Sequence, residues 1–144
     1  MIIDERLMRA ELSRDESREH KAYRDTLGNW TIGVGHKLPL WTKHPERLVW
    51  TDTQIDHWLD QDIQAALQTN LPLFWFKTLN TDPRRRALVN MRFNLGRHLD
   101  GFHSFLHYLS QAEWQAASDD LTHTLWEKQV GARAWRIQEQ IVHG

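Results

Sequence analysis

Residues 16–36 read Glu16-Ser-Arg-Glu-His-Lys-Ala-Tyr-Arg-Asp25-Thr-Leu-Gly-Asn-Trp-Thr31-Ile-Gly-Val-Gly-His36. From 21 onward this is a hairpin signal: two strand-like arms meet at Leu27-Gly28-Asn29, where Gly and Asn tolerate positive φ. In the second arm Trp30, Ile32 and Val34 alternate with Thr31, Gly33 and Gly35. The Thr and the glycines therefore share one face and leave backbone bare along it, where a ligand can lie. Upstream, Ile3, Leu7, Met8 and Leu12 fall at helical spacing, so the pattern predicts an amphipathic helix over 2–13 that stops near Ser13. Downstream, 37–50 holds Pro39 and Pro45 and reads as irregular, with Leu48-Val49-Trp50 a short third strand.

Thr51-Asp-Thr-Gln54 is a capping-box pattern and opens a helix to residue 69, long enough at about 27 Å to bridge two lobes. Asp82-Pro83 reads as an N-cap followed by proline at the first helical position, Ala87, Leu88, Met91 and Leu95 mark a buried face, and Gly96 ends that helix. Shorter amphipathic pieces follow around 103–110, 112–121 and 131–142. The class predicted is α+β in a single domain of 144 residues. It comprises a small β-hairpin lobe over about 15–50, a bridging helix over about 51–69, and a larger all-helical lobe over about 70–144 joined by helix 2–13.

Composition narrows the chemistry. With 40% apolar residues the chain can bury a core without staples, and with no Cys it has neither disulfides, a thiolate nucleophile nor a cysteine zinc site. No apolar run approaches the roughly 18–20 residues that span a membrane, and residues 1–6 lack a signal peptide's basic start and apolar stretch, so no membrane anchor is expected. A net charge of −1 gives no global field for nucleic acid. Arg84, Arg85 and Arg86 point about 100° apart on a helix and form no phosphate-tracking row. His103 and His107 share a helix face but lack a third ligand, so neither metal nor cofactor is expected.

No serine sits in a nucleophile elbow and no glycine loop cradles phosphate, which leaves the carboxylates. Glu16 lies just past the predicted end of the first helix, Asp25 follows nine residues later on a hairpin strand, and Thr31 six further on the facing strand. Those groups can converge on one groove. Inverting hydrolysis of a glycosidic bond needs such a set: a protonated carboxyl for the leaving oxygen, and a carboxylate that directs water from the opposite face. On spacing alone, the plainer reading is that these two residues are two of nineteen acids on a solvated surface.

The run Tyr23-x-Asp-Thr-x-Gly-x-x-Thr-Ile-Gly-x-Gly-His36, with eight residues between Glu16 and Asp25 and five between Asp25 and Thr31, resembles the phage-type lysozyme family. Similarity resumes at Trp50-Thr51 through Gln61-Asp62, at Arg85 to Gly96, at Gly101-Phe102, and at Trp126 to Arg136. The resemblance implies a lysozyme-like fold with its active-site cleft between the lobes, and an endolysin-type muramidase. Such an enzyme hydrolyses the β-1,4 bond between N-acetylmuramic acid and N-acetylglucosamine in peptidoglycan, with inversion. By that resemblance Glu16 is the general acid, and Asp25 with Thr31 positions the attacking water. His36 and Asp62 match a structural ion pair, and Arg133 matches an arginine that approaches the catalytic Glu, against a plainer reading as a helix-surface charge. Phe93, Asn94 and Lys37 match positions that line the sugar groove.

Three departures bear on the cleft. Ser17 stands where the family usually has Gly, Lys37 replaces an apolar groove residue, and Asn94 replaces the commoner Gln. The segment 37–50 is also short for the family and is expected to lack one small helix. Trp30 and Trp41 are candidates to stack on sugar. The competing readings are a lytic transglycosylase, which uses Glu16 but has no need of Asp25, and a non-catalytic peptidoglycan-binding module. The implied setting is phage-driven lysis of a host cell. A monomer would be made in the host cytoplasm and reach the periplasm or cell wall through a holin-like pore, or travel in a virion.

Overall fold

The computed structural model describes residues 3–68, 73–75 and 77–144. Ile2 and Thr69, at the outer bounds expected for the first and bridging helices, lie outside the described residues. Seven α-helices and one three-stranded antiparallel sheet are present among them, an α+β chain as the pattern predicts. The chain divides into two compact units, one of residues 6–65 and one of residues 1–5 with 66–144.

In the first unit, helix α1 spans Glu5–Glu16. It runs past Ser13, where the sequence predicts a stop, because the terminating conformation comes four residues later. Ser17 takes φ 62°, the left-handed turn that closes a helix C-terminus and that glycine usually supplies. Glu16 is thus the last residue of the helix rather than a residue beyond it.

Strand β1 (Glu19–Arg24) pairs with β2 (Trp30–Gly33), and β2 with β3 (His36–Lys37), all antiparallel. The hairpin turn forms where expected: Asp25 N–H donates to Asn29 O at 2.9 Å, Gly28 N–H donates to Asp25 O at 2.9 Å, and Gly28 has φ 84°. Asp25 therefore belongs to the turn that follows β1, not to the strand. The third strand is His36–Lys37 rather than 48–50. The latter segment meets β1 by a single bridge, Lys21 to Val49, flanked by Trp50 N–H donating to His20 O at 2.8 Å. Its proximity to Pro45 and a three-residue 3-10 turn at Pro45–Arg47 leaves it too short for a ladder. As the central strand, β2 is buried on both faces, so Thr31 is as inaccessible as Ile32 and the predicted alternation of buried and open faces is lost.

Helix α2 covers Asp52–Gln68 and opens on the predicted capping box. Thr51 N–H donates to Gln54 Oε1 at 2.8 Å, and Gln54 N–H donates to Thr51 Oγ1 at 3.2 Å. It buries Ile55, Leu59 and Ile63, one stripe at helical spacing.

The second unit is helical: α3 (Asp82–Leu95), α4 (His103–Ser110), α5 (Trp114–Leu121), α6 (Leu125–Val130) and α7 (Ala132–His143). Thr81, not Asp82, is the N-cap of α3, its hydroxyl accepting from Arg84 N–H at 3.4 Å. Asp82 instead accepts from Asp4 N–H at 2.7 Å and from the Arg86 guanidinium. Gly96 ends the helix as predicted. The sequence marks one apolar face on α3, yet Arg84 and the run Arg86 to Arg92 are all buried. Such burial of arginine requires partners. Arg84 Nε donates to Ile141 O at 2.8 Å and its Nη2 to Val142 O at 3.2 Å, near the end of α7, while its guanidinium lies 4.2 Å from the Trp114 ring. Arg92 reaches Asp100 at 2.9 Å and Gly96 O at 3.0 Å. Around them Leu88, Met91, Phe105, Leu109, Leu121, Ile137 and Ile141 are buried, each side chain of this size contributing about 1.5–3 kcal/mol on leaving water. Helix α6 lies outside the amphipathic pieces that the pattern predicts, although Thr124-Leu-Trp-Glu127 has the capping-box sequence; Thr124 Oγ1 accepts from Glu127 N–H at 3.1 Å, while Glu127 Oε2 accepts from His123 N–H at 2.9 Å, one residue before the cap.

Candidate active site

Four of the residues singled out from sequence, Glu16, Asp25, Thr31 and Lys37, are carried by α1, the hairpin turn and the sheet of the first unit. The approach that seats the acid is made possible by glycine. A Cβ placed on Gly35 would lie 3.0 Å from Glu16 Oε2 and 3.2 Å from its Cδ, so the half-buried carboxyl rests directly on bare backbone. Gly35 also has φ 65°. The companion Gly33 serves packing instead, with Trp50 and Ile55 against the position of its missing side chain. The glycine row is therefore filled by the chain's own groups rather than left open.

Asp25 organises the turn that carries it. Its Oδ1 accepts from Leu27 N–H at 2.9 Å and Asn29 N–H at 2.8 Å, an Asx-type turn, and its Oδ2 accepts from Asn29 Nδ2 at 3.3 Å and from the Lys37 ammonium. The Lys37 bond, helped by those from Asn29, outweighs desolvation and lowers the carboxyl to about 2. A carboxyl whose folded value lies below its ordinary one stabilises the fold above about pH 4 and loses that contribution as pH falls toward 2. The melting-temperature difference between wild type and Asp25→Asn is accordingly expected to be constant above about pH 4.5 and to shrink below it; a difference that stays constant down to pH 2.5 would contradict this.

Thr31 is 1% exposed, and its hydroxyl donates to Asn29 O at 3.1 Å. Its hydroxyl proton is thus committed within the turn, to the carbonyl of the residue whose N–H groups bind Asp25. Register places Thr31 opposite Tyr23 of β1 and opposite Lys37 of β3.

Tyr23 is a member of this group that sequence reasoning passed over. Burial raises its phenol above the ordinary value, with the charges of Glu16, Glu19 and Asp25 adding to the rise and a hydrogen bond with the Ser17 side chain opposing it. One phenol thus senses both candidate carboxylates. Asn29 was also passed over, though an Asn four residues after an Asp across a Gly turn is a signal for such bonding.

His36 Nδ1 lies 2.7 Å from Asp62 Oδ2, its ring 5.4 Å from Trp50 and 4.9 Å from Trp58. This bond ties the third strand to α2 within the unit. Trp30 carries the Arg24 guanidinium 4.8 Å from its ring, whereas Trp41 is exposed beside an equally exposed Leu40. A groove of about 400 Å³ lined by Arg9, Ala10, Ser13, Asp56, Leu59 and Asp60 contains none of the candidate residues.

The other three candidates belong to the second unit. Phe93 is half-buried near the end of α3. Asn94 is exposed, with its Oδ1 accepting from Trp126 Nε1 at 2.8 Å, which fixes the orientation of the amide and points its nitrogen elsewhere. Arg133 is buried rather than a helix-surface charge, and its Nε donates to Asn90 Oδ1 at 2.8 Å.

Among the described residues no cluster of His, Asp and Glu could hold a metal, and no helix is long and apolar enough to cross a membrane. The sequence model of the family Phage lysozyme matches residues 13–139, a span that holds every candidate above. Two proteins of Dictyostelium discoideum are similar over most of their length. "Probable T4-type lysozyme 2" is 25% identical over 149 residues, covering 88% of each chain, and "Probable T4-type lysozyme 1" is 22% identical over 157 residues, covering 92% of each. With a family match over nearly the whole sequence and the acid, turn and hairpin it encompasses built into one unit, the chain belongs to the phage lysozyme family.

Proposed function

We propose that this protein is a muramidase that hydrolyses the β-1,4 bond between N-acetylmuramic acid and N-acetylglucosamine in peptidoglycan, with inversion, as a lysis enzyme of a phage or prophage. The observation that carries the reading is that Glu16, seated on Gly35, and Asp25, bonded in its turn, belong to one compact unit. Family membership supports the substrate class.

Glu16, protonated, gives its proton to the glycosidic oxygen as the bond breaks. A positioned acid is worth about 10²–10⁴-fold, or roughly 3–5 kcal/mol of barrier. Asp25, held ionised, accepts a hydrogen bond from the attacking water and takes its proton, while Thr31 holds Asn29, whose backbone and side-chain N–H groups bind that carboxylate. The carboxylate charge also favours the oxocarbenium-like transition state. Beyond their bonds within the turn, Asp25 as base and Thr31 as its support have a role in the reaction only if water attacks. They favour hydrolysis over the transglycosylase reading, in which the sugar's own hydroxyl closes an anhydro ring.

Mass spectrometry of purified sacculi after digestion tests this. Reducing muramic ends, each carrying one added water, are expected from the wild type, with Asp25→Asn at least about 10²-fold slower. Anhydromuramyl ends, or no soluble fragments from a folded protein, would refute it.

A further inference from the structure

Lys37 sits at the base by register rather than by chance. It stands opposite Thr31 in the β2–β3 ladder, and Thr31 stands opposite Tyr23 in the β1–β2 ladder, so Tyr23, Thr31 and Lys37 form one row across the sheet. Directly paired residues project to the same face. From that row Lys37 Nζ donates to Asp25 Oδ2, the oxygen left over once backbone N–H groups have taken Oδ1. The Lys37 side chain is 58% exposed and that of Asp25 16%, so the ammonium covers the carboxylate from the solvent side.

Other charged groups around this corner are directed elsewhere or bear on Tyr23. Glu16 from α1 and Glu19 from β1 act on the Tyr23 phenol. Arg24 donates to Gly28 O at 3.2 Å and lies over Trp30. Among the described residues, Lys37 is the cation bonded to Asp25.

We propose that Lys37 is a positioning residue for the water-directing base: its ammonium holds Asp25 in one orientation and keeps it ionised at acid pH, where an ordinary carboxyl would take up a proton and release the water. This rests on the reading of Asp25 as the base. The device has an opposite side, since the same bond lowers the basicity of Asp25. A flexible four-carbon stem lets the ammonium give up the Oδ2 lone pair when water and glycan arrive. An apolar residue at position 37 could do neither.

The test compares wild type, Lys37→Met, Lys37→Gln and Lys37→Arg on purified sacculi at pH 3.5 and pH 6, with the Asp25 carboxyl carbon followed by NMR titration. If Asp25 returns toward the ordinary carboxyl value of about 3.9, only about a third of it is ionised at pH 3.5. The rate at pH 3.5 relative to pH 6 then falls about threefold in the Met and Gln variants, the NMR midpoint rises by more than one pH unit, and Lys37→Arg keeps the wild-type ratio. An unchanged ratio with an unchanged midpoint, or an equal loss of rate at both pH values, overturns the proposal. Asp25→Asn separates the two layers. If it hydrolyses like the wild type, the reading of Asp25 as base fails; if it is inactive while Lys37→Met keeps the wild-type profile and midpoint, only the role of Lys37 fails.

Discussion

Glu16→Gln is expected to slow wall hydrolysis by about 10²–10⁴-fold while leaving the melting temperature within about 2 °C of wild type. The amide matches the carboxyl in shape and keeps its seat on Gly35, so little packing changes. What it loses is the acidic proton, and with it roughly 3–5 kcal/mol of transition-state stabilisation. Backbone sets where this side chain leaves the fold: Glu16 is the last residue of α1, and Ser17 at φ 62° turns the chain immediately afterwards. Equal clearing of sacculi by Glu16→Gln and wild type, at equal melting temperature, would remove Glu16 from the mechanism.

Gly35→Ala should produce a folded but crippled protein, and Gly33→Ala a folded and active one. Both positions have left-handed φ, 65° and 67°, so an added Cβ costs about 1–2 kcal/mol at either, a drop of roughly 2–8 °C for a domain of this size. What the new methyl meets differs. At Gly33 it lies 3.3 Å from Trp50 and 3.5 Å from Ile55, apolar groups remote in role from the reaction. At Gly35 it lies 3.0 Å from Glu16 Oε2, and because that carboxyl ends a flexible side chain, the carboxyl moves rather than the turn. A displacement near 1 Å can cost about 10²-fold in rate. Rates measured per folded molecule check this; equal activity of the two variants would show that the seat of Glu16 on Gly35 is incidental.

The hairpin was legible because its turn has to be made by Gly and Asn, and α2 because Thr51 and Gln54 satisfy each other's orphan N–H groups. The end of α1 was not. The residue that closes it is a serine in a conformation that glycine normally announces, so the sequence pattern points to Ser13 instead. The all-round burial of α3 was hidden by its arginines, which look like a solvated face until the carbonyls of Ile141 and Val142 and the carboxylates of Asp82 and Asp100 are found beside them. Glu16, Asp25 and Thr31 could be singled out from the family signature. The contact of Lys37 with Asp25 could not, because it depends on which residue of β3 faces Thr31, and that register is a tertiary fact. Reading the third strand into 48–50 obscured the same contact.

The fate of the anomeric carbon tests the account's core most directly. Proton NMR of a chitin-like or muropeptide oligomer during its first turnovers is expected to show the newly formed reducing end as the α-anomer, before mutarotation equalises the two forms, because water directed by Asp25 attacks from the face opposite the oxygen that Glu16 protonates. A reducing end that first emerges as the β-anomer, or a product with no reducing end at all, would contradict it.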